Sequence, residues 1–203
     1  MERVSRHAAL DVSDLPTVVF GARNVVWLGV VLFMLIEGTA IAMLYASYFY
    51  YRTRTTDWPP GVMPPYLKWG ILNAIVFVVS LAPAWWIRKR ARAGDVTGCR
   101  IGLIVLSLFG AVNIVFRVCE FTGLNCGWSA NAYASTVWTI MGMHSAHLLT
   151  DFIETAVLAM FAFTDRVDGT RLTDLDENSI YWYFVVGVAL VTDFVVYGAS
   201  RLF

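Results

Sequence analysis

Apolar stretches of 18 or more residues recur five times along the chain, and no soluble fold of this size needs so many. Each stretch is long enough to cross a bilayer as a helix, because a span of about 20 residues covers roughly 30 Å. The predicted spans are 24–51, 66–87, 101–122, 133–163 and 179–201. The sequence therefore predicts an all-α membrane protein, a bundle of five transmembrane helices.

The remaining sequence leaves little room for anything outside the membrane. Residues 1–22 are predicted to form a polar N-terminal arm, and residues 23–203 the five-helix transmembrane domain. Four prolines between Pro59 and Pro65 exclude helix from the first loop. The acidic stretch Asp165–Asn178 is interpreted as the last loop. The formal net charge is zero, which argues against a nucleic-acid partner.

Basic residues are distributed unequally over the two sides of the predicted bundle. Ten lie on the side of the N-terminus and four on the other, an asymmetry that predicts a cytoplasmic N-terminus and a periplasmic C-terminus. Arg88, Lys89 and Arg90 end the second span, where they suit both membrane anchoring and the binding of lipid headgroups. In the third span, Arg117 and Glu120 are three residues apart and are expected to pair.

The fourth span carries a polar stripe on an otherwise apolar helix. At 100° per residue, its members fall within a sector roughly 80° wide. They are His144, His147, Asp151 and Glu154. A stripe of this kind faces protein, water or a cofactor, because charged groups facing lipid cost about 2.5–3.5 kcal/mol or more each.

Three ligands come into consideration for the stripe: a metal ion, a haem and a quinone. Two histidines with Asp151, Glu154 and Glu37 would make a carboxylate-rich metal site, but the Glu-x-x-His units of helical di-iron proteins are missing. A bis-histidine haem needs histidines on facing helices, and the remaining histidine, His7, lies in the polar arm. The alternative is a set of hydrogen-bonded side chains that fix one helix against another.

Glu37 lies near the middle of the first span and has no neighbouring basic residue in the sequence. Two interpretations remain open for it. It is either a proton-exchanging group or lipid-facing sensor, or a neutral acid that hydrogen-bonds to a neighbouring helix. Its carboxyl group is expected to be protonated or to share a proton with His144 or His147.

Several motifs, in this order, resemble the cytochrome c oxidase subunit III family in its short five-helix bacterial form. The first span resembles a family helix with a buried glutamate followed by aromatic residues, and Glu120 matches an acidic family position. The other motifs are Trp58–Gly61, Leu72–Asn73, Ala132–Thr136, Gly142–His147 and Tyr181–Val185. The chain departs from the family at Tyr183 and Val186, where histidine and aspartate are usual, and at Asp151 and Glu154, where small or apolar residues are usual.

The resemblance implies a non-catalytic subunit of a haem-copper terminal oxidase in a bacterial inner membrane. Such a subunit has no catalytic residue, redox cofactor or metal of its own. It packs on the haem-copper catalytic subunit I, beside a copper-bearing or cytochrome c-type subunit. It also binds structural phospholipids and supports proton uptake. Trp58, Tyr181 and Trp182 join the basic cluster as headgroup candidates, since aromatic rings favour the membrane interface.

Two alternatives keep the same helices but change the function. One is an accessory subunit of a nitric oxide reductase of the same superfamily, which only the partner distinguishes. The other is a stand-alone membrane metalloenzyme that uses the stripe of His144, His147, Asp151 and Glu154.

Overall fold

The computed structural model describes residues 19–164 and 169–202, and within these ranges it is helical with no strand. The helices are α1 Val25–Thr53, α2 Leu67–Arg92, α3 Val96–Thr122, α4 Ala132–Ala162 and α5 Gly169–Asp193. A π-helical turn, Phe194–Gly198, and a last turn, α6 Ala199–Leu202, continue α5. Within the described residues, five helices are long and apolar enough to cross a membrane, the fifth over Arg171–Leu202. The prediction of a five-helix multi-pass membrane protein is confirmed.

Three of the helices begin at a side chain that caps them. Asn24 accepts a hydrogen bond from the backbone N–H of Val26 at 2.9 Å, and Asp95 accepts one from Gly98 at 2.9 Å. Asn131 accepts one from Ala134 at 2.8 Å. These bonds satisfy backbone donors that have no partner within the first turn, which fixes where α1, α3 and α4 start.

Helix α2 lies at the centre of the packing, with α3 on one side and α5 on the other. Helix α4 packs on α3 and α5, and α1 lies against α4 and α5. The buried residues of α1 are only Glu37, Ile41 and Tyr48, so most of its surface is apolar and exposed. A carboxyl group is thus part of the small surface through which α1 attaches to the bundle.

The two ends of the bundle differ in chemistry. At the basic face, defined by Arg88, Lys89, Arg90 and Arg92, helices α1, α3 and α5 begin. At the proline-loop face, Asn125 donates to the Pro64 carbonyl at 2.9 Å and Asn131 to the Pro60 carbonyl at 2.8 Å. Arg201 also donates to the Pro65 carbonyl. The proline loop is non-helical, as predicted, and is held by the neighbouring loop and the end of the chain.

The predicted loop Asp165–Asn178 is wrong over most of its length, because α5 begins at Gly169. Leu172, Leu175, Asp176 and Ser179 are buried with helical spacing, so this acidic stretch packs on the bundle. Two other helices also extend beyond their predicted spans at this end of the bundle. Helix α2 continues to Arg92 instead of ending at 87, and α3 starts at Val96 instead of 101. Most of the predicted polar arm, residues 1–22, lies outside the described residues.

Candidate functional site

Glu37 is the meeting point of three helices near the middle of the bundle. The hydroxyl of Tyr181 on α5 donates a hydrogen bond to Glu37 Oε2 at 2.6 Å. On α4, His147 Nε2 lies 3.3 Å from Glu37 Oε1. All three side chains are buried. The arrangement lets a proton be shared between the carboxyl group and the imidazole while the phenol stays bonded to the other oxygen.

The polar stripe of α4 is divided between two environments. His144, His147 and Asp151 are buried, and both carboxyl oxygens of Asp151 are enclosed with no hydrogen-bond partner in the described part of the chain. Glu154 is exposed on the edge of α4 and lines a small cavity with Glu177 and Tyr181. Asp151 lies within electrostatic reach of both Glu37 and Glu154. The four predicted side chains therefore follow one side of α4, but Glu154 stands apart from the buried three.

His144 is held through both of its ring nitrogens. Nδ1 lies 3.0 Å from Arg117 Nη2, and Nε2 lies 3.1 Å from the carbonyl oxygen of Val185. A guanidinium group can only donate, so Nδ1 accepts and Nε2 carries the proton. Neither nitrogen is free to ligate a metal ion or haem iron. Among residues 19–164 and 169–202, no group of three or more His, Cys, Asp or Glu side chains has the geometry to hold a metal.

Glu120 is the centre of a second buried cluster, closer to the proline-loop face. Arg117 Nη1 lies 2.9 Å from Glu120 Oε2, which confirms the predicted pairing. Asn73 donates to the same oxygen at 2.9 Å, and Tyr197 donates to Oε1 at 3.3 Å. The carboxylate has a cation and two neutral donors, and it thereby joins α2, α3 and the π-helical turn. This arrangement is typical of a structural ion pair.

The basic residues at the end of α2 are engaged within the protein. Arg88 Nε and Arg92 Nε both lie within 3.0 Å of Asp176 Oδ1, and Arg92 also contacts Oδ2. Arg90 pairs with Asp95 at 3.1 Å and covers the ring of Trp86, while Lys89 lies over Trp85. Asp176 is fully buried, whereas the arginines remain partly exposed. Positive charge thus still reaches the surface at the basic face.

More than four fifths of the sequence aligns with proteins named as third subunits of oxidases. It is 24% identical over 178 residues to cytochrome c oxidase subunit 3 of Thermostichus vulcanus, covering 86% of this chain and 87% of that protein. It is also 24% identical over 174 residues to cytochrome c oxidase subunit 3 of Synechocystis, covering 83% and 73%. A third relative, cytochrome bo(3) ubiquinol oxidase subunit 3 of Pseudomonas aeruginosa, is 24% identical over 169 residues, covering 82% and 81%. No family model matches the chain.

The chain is a homologue of oxidase subunit 3. The predicted resemblance is therefore confirmed, and it extends over most of the sequence. The names of the relatives include both a cytochrome c oxidase and a ubiquinol oxidase, so the similarity is not restricted to one electron donor.

The aromatic residues of this oxidase-subunit homologue lie deeper than predicted. Trp182 is fully buried and its indole N–H donates to Ser80 Oγ at 2.9 Å, and Tyr181 is buried against Glu37. Both rings are enclosed by helices, so the assignment of Tyr181 and Trp182 to headgroup binding is wrong. Trp58 lies at the proline-loop face, where its N–H donates to Tyr48 at 3.0 Å.

The contacts of four polar residues were not predicted from the sequence, although Asn73 belongs to one of the motifs that carry the resemblance. Their shared property is a hydrogen bond to another helix in the bundle interior; they are Asn73, Ser80, Asp176 and Tyr197. Only Asp176 had a detectable signal, because it shares a helical face with Leu172 and Leu175. Asn73, Ser80 and Tyr197 are single polar residues among apolar neighbours, and nothing local indicates their partners.

Proposed function

We propose that this chain is the non-catalytic third subunit of a haem-copper terminal oxidase. The single observation that carries the proposal is the similarity to oxidase third subunits along more than four fifths of the chain. The site geometry agrees with a supporting role. His144 is saturated by Arg117 and Val185, and Glu120 is saturated by three donors, so these groups serve packing. Electron transfer and oxygen reduction then belong to partner subunits that hold haem and copper.

The proposed partners are the haem-copper catalytic subunit I and a copper-bearing or cytochrome c-type subunit, in a bacterial inner membrane. Apolar side chains cover the outward surface of α1, and such a surface suits lipid or another membrane helix. The proposed orientation has a cytoplasmic N-terminus, which places the basic face in the cytoplasm. In that orientation the Glu37 cluster would support proton uptake by the partner.

Phospholipids are the proposed bound molecules. A groove of about 480 Å³ between α2 and α5 is lined by Leu81, Trp85, Tyr183 and Leu190, and Arg88 stands among them. Lys89 and Arg92 lie around a neighbouring pocket at its end. An apolar groove that ends in partly exposed cations matches an acyl chain and an anionic headgroup. Arg88, Lys89 and Arg92 line these two pockets and Arg90 lines neither, so the first three are the headgroup residues of this proposal.

The proposal is tested by isolating the affinity-tagged chain from its own membranes in a mild detergent. We expect a larger haem-containing polypeptide to co-purify and the complex to reduce oxygen. The optical spectrum identifies the haems, and phosphorus analysis measures bound lipid. Replacing Arg88 and Lys89 together with glutamine should reduce bound phospholipid, and the Lys68→Gln variant, changed at the opposite face, is the control.

Two other outcomes would change the function. A complex that reduces nitric oxide but not oxygen would make this chain the accessory subunit of a nitric oxide reductase. A chain that purifies alone with stoichiometric metal, lost in the His144→Ala variant, would make it a stand-alone metalloenzyme and overturn the proposal.

A further inference from the structure

A small cavity lies between α1, α4 and α5, on the basic-face side of Glu37. Its walls are Val30 and Phe33 from α1, Glu154 from α4, and Glu177, Asn178 and Tyr181 from α5. Its volume is about 70 Å³. Since one water in the liquid occupies roughly 30 Å³, the cavity has room for about two water molecules.

Glu177 is the side chain that gives this cavity its chemistry. It is 3% exposed, and neither of its carboxyl oxygens has a hydrogen-bond partner among the residues that the structure describes. Burying a charged carboxylate without a partner is unfavourable, so the group needs water or a proton. Arg88 and Arg92 both form ion pairs with the neighbouring Asp176 and not with Glu177. Glu177 lines the cavity, so water there would satisfy its carboxyl oxygens.

Tyr181 connects the cavity to the middle of the bundle. It lines the cavity one helical turn beyond Glu177, about 6 Å along the axis of α5. Its hydroxyl donates to Glu37 Oε2, and Glu37 Oε1 meets His147. Polar atoms thus follow one another from Tyr181 through Glu37 to His147 on three helices, and the cavity lies between Glu177 and Tyr181. No other described side chain offers Glu37 Oε2 a hydrogen bond.

We propose that Glu177, cavity water and Tyr181 form a proton-exchange path that connects the basic face of this chain with Glu37 and His147. In each transfer, Glu177 gives its proton to a cavity water, and that water gives one of its protons to the phenol oxygen of Tyr181. Tyr181 gives its own hydroxyl proton to Glu37 Oε2. The water and the tyrosine end as they began, Glu177 has lost one proton and Glu37 has gained one.

The charged groups around the path favour proton entry from the basic face. They are Glu37 on α1, Arg88 and Arg92 on α2, His147, Asp151 and Glu154 on α4, and Asp174, Asp176 and Glu177 on α5. Acidic groups exceed basic ones beside the cavity, so an added proton there relieves repulsion between carboxylates. The inference deepens the proposed function by naming the route of proton uptake, and its test uses this chain without a catalytic subunit.

The experiment is infrared spectroscopy of the purified chain during transfer from H₂O to D₂O. The carboxyl C=O band of protonated Glu37 is identified by its loss in the Glu37→Gln variant, at a pH low enough for the band to be present. In the wild-type chain this band should shift as deuterium replaces hydrogen. In the Tyr181→Phe variant the shift should be about tenfold slower or more, because one relay group is missing.

The matched control is Tyr45→Phe, which removes the same hydroxyl from another α1–α5 contact. Tyr45 bonds to Thr192 on the proline-loop side, so its loss should leave the exchange rate unchanged. Glu177→Gln is the second test, and it should slow exchange even if Tyr181→Phe does not fold. Equal rates in the wild-type chain and Glu177→Gln, or a Glu37 band that never appears at any pH, would overturn the path. Co-purification of a haem-containing polypeptide tests only the proposed function. It does not change the exchange rates that support or overturn the path.

Discussion

Arg92 and Asp176 are joined by two parallel hydrogen bonds, Nε to Oδ1 at 2.9 Å and Nη2 to Oδ2 at 3.0 Å. The pair links the end of α2 to the start of α5, and Arg88 adds a third bond to the same carboxylate. A fully buried acid with two cations is therefore what holds the acidic beginning of α5 against the bundle.

Asp176→Asn is expected to lower the free energy of unfolding by about 1–3 kcal/mol, because it removes the charge that both arginines bind. The loss stays moderate since Arg88 and Arg92 are partly exposed and regain water. A thiol-reactive dye measures it once Cys119 and Cys126, which are only partly buried, are replaced by serine, because the remaining Cys99 is fully buried and reacts on unfolding. The control is Asp95→Asn at the exposed pair with Arg90, expected to cost less than about 1 kcal/mol. Equal losses in both variants would contradict this account.

Arg117→Met should destabilise the chain by about 3–5 kcal/mol, since it leaves Glu120 buried without its cation. It also removes the donor that fixes the His144 ring. The double variant Arg117→Met/Glu120→Gln should recover part of the loss. Denaturation in the two variants gives the comparison, and a double variant less stable than the single one would exclude an electrostatic origin.

Gly70→Ala tests the packing around Tyr197. A Cβ at Gly70 would lie 2.6 Å from Cε2 of the Tyr197 ring, so the ring whose hydroxyl bonds to Glu120, or the backbone of α2, must shift. We expect destabilisation by about 1–3 kcal/mol. At Gly142 the same substitution meets no atom within 4 Å, and it should be neutral or stabilising by up to about 1 kcal/mol. Identical unfolding midpoints for the two variants would show that the close approach of Gly70 to the Tyr197 ring does not affect stability.

Glu37→Gln is expected to leave assembly intact and to change proton-coupled turnover only modestly. Glutamine keeps an acceptor for the Tyr181 hydroxyl, so the junction of α1, α4 and α5 survives. Size-exclusion chromatography of the complex and oxygen consumption measure the two effects. Complete loss of the assembled complex would show that the charge, rather than the shape, holds α1 in place.

A cysteine introduced at Met63 should react with a membrane-impermeant maleimide from the periplasmic side only. Met63 is exposed in the proline loop, whereas the left-handed backbone of Gly61 disfavours a side chain there. The native Cys126 lies at the same face, and burial raises the pKa of its thiol. Its background labelling should therefore be slow at neutral pH and increase as the pH rises. Labelling of Met63→Cys only from the cytoplasm would show that the chain has the opposite orientation to the one proposed.

The number and order of the spans could be predicted because length and apolar composition are local properties. The contact of Glu37 with His147 and Tyr181 could not, since a stripe indicates which side of a helix is polar but not which helix it meets. The placement of Tyr181 and Trp182 failed for a definite reason. A helix that starts at 179 would place both rings at the membrane interface. Helix α5 begins at Gly169 instead, so Tyr181 and Trp182 lie about three turns inside it.

The π-helical turn Phe194–Gly198 holds one residue more than a regular turn would. Tyr197 lies in this turn, and Arg201 just beyond it reaches the Pro65 carbonyl. Deleting a single codon here would restore an ordinary helix and rotate everything after it by about 100°. Tyr197 and Arg201 would then lose their contacts with Glu120 and Pro65. The extra residue in the π-helical turn therefore sets the direction of the last side chains described.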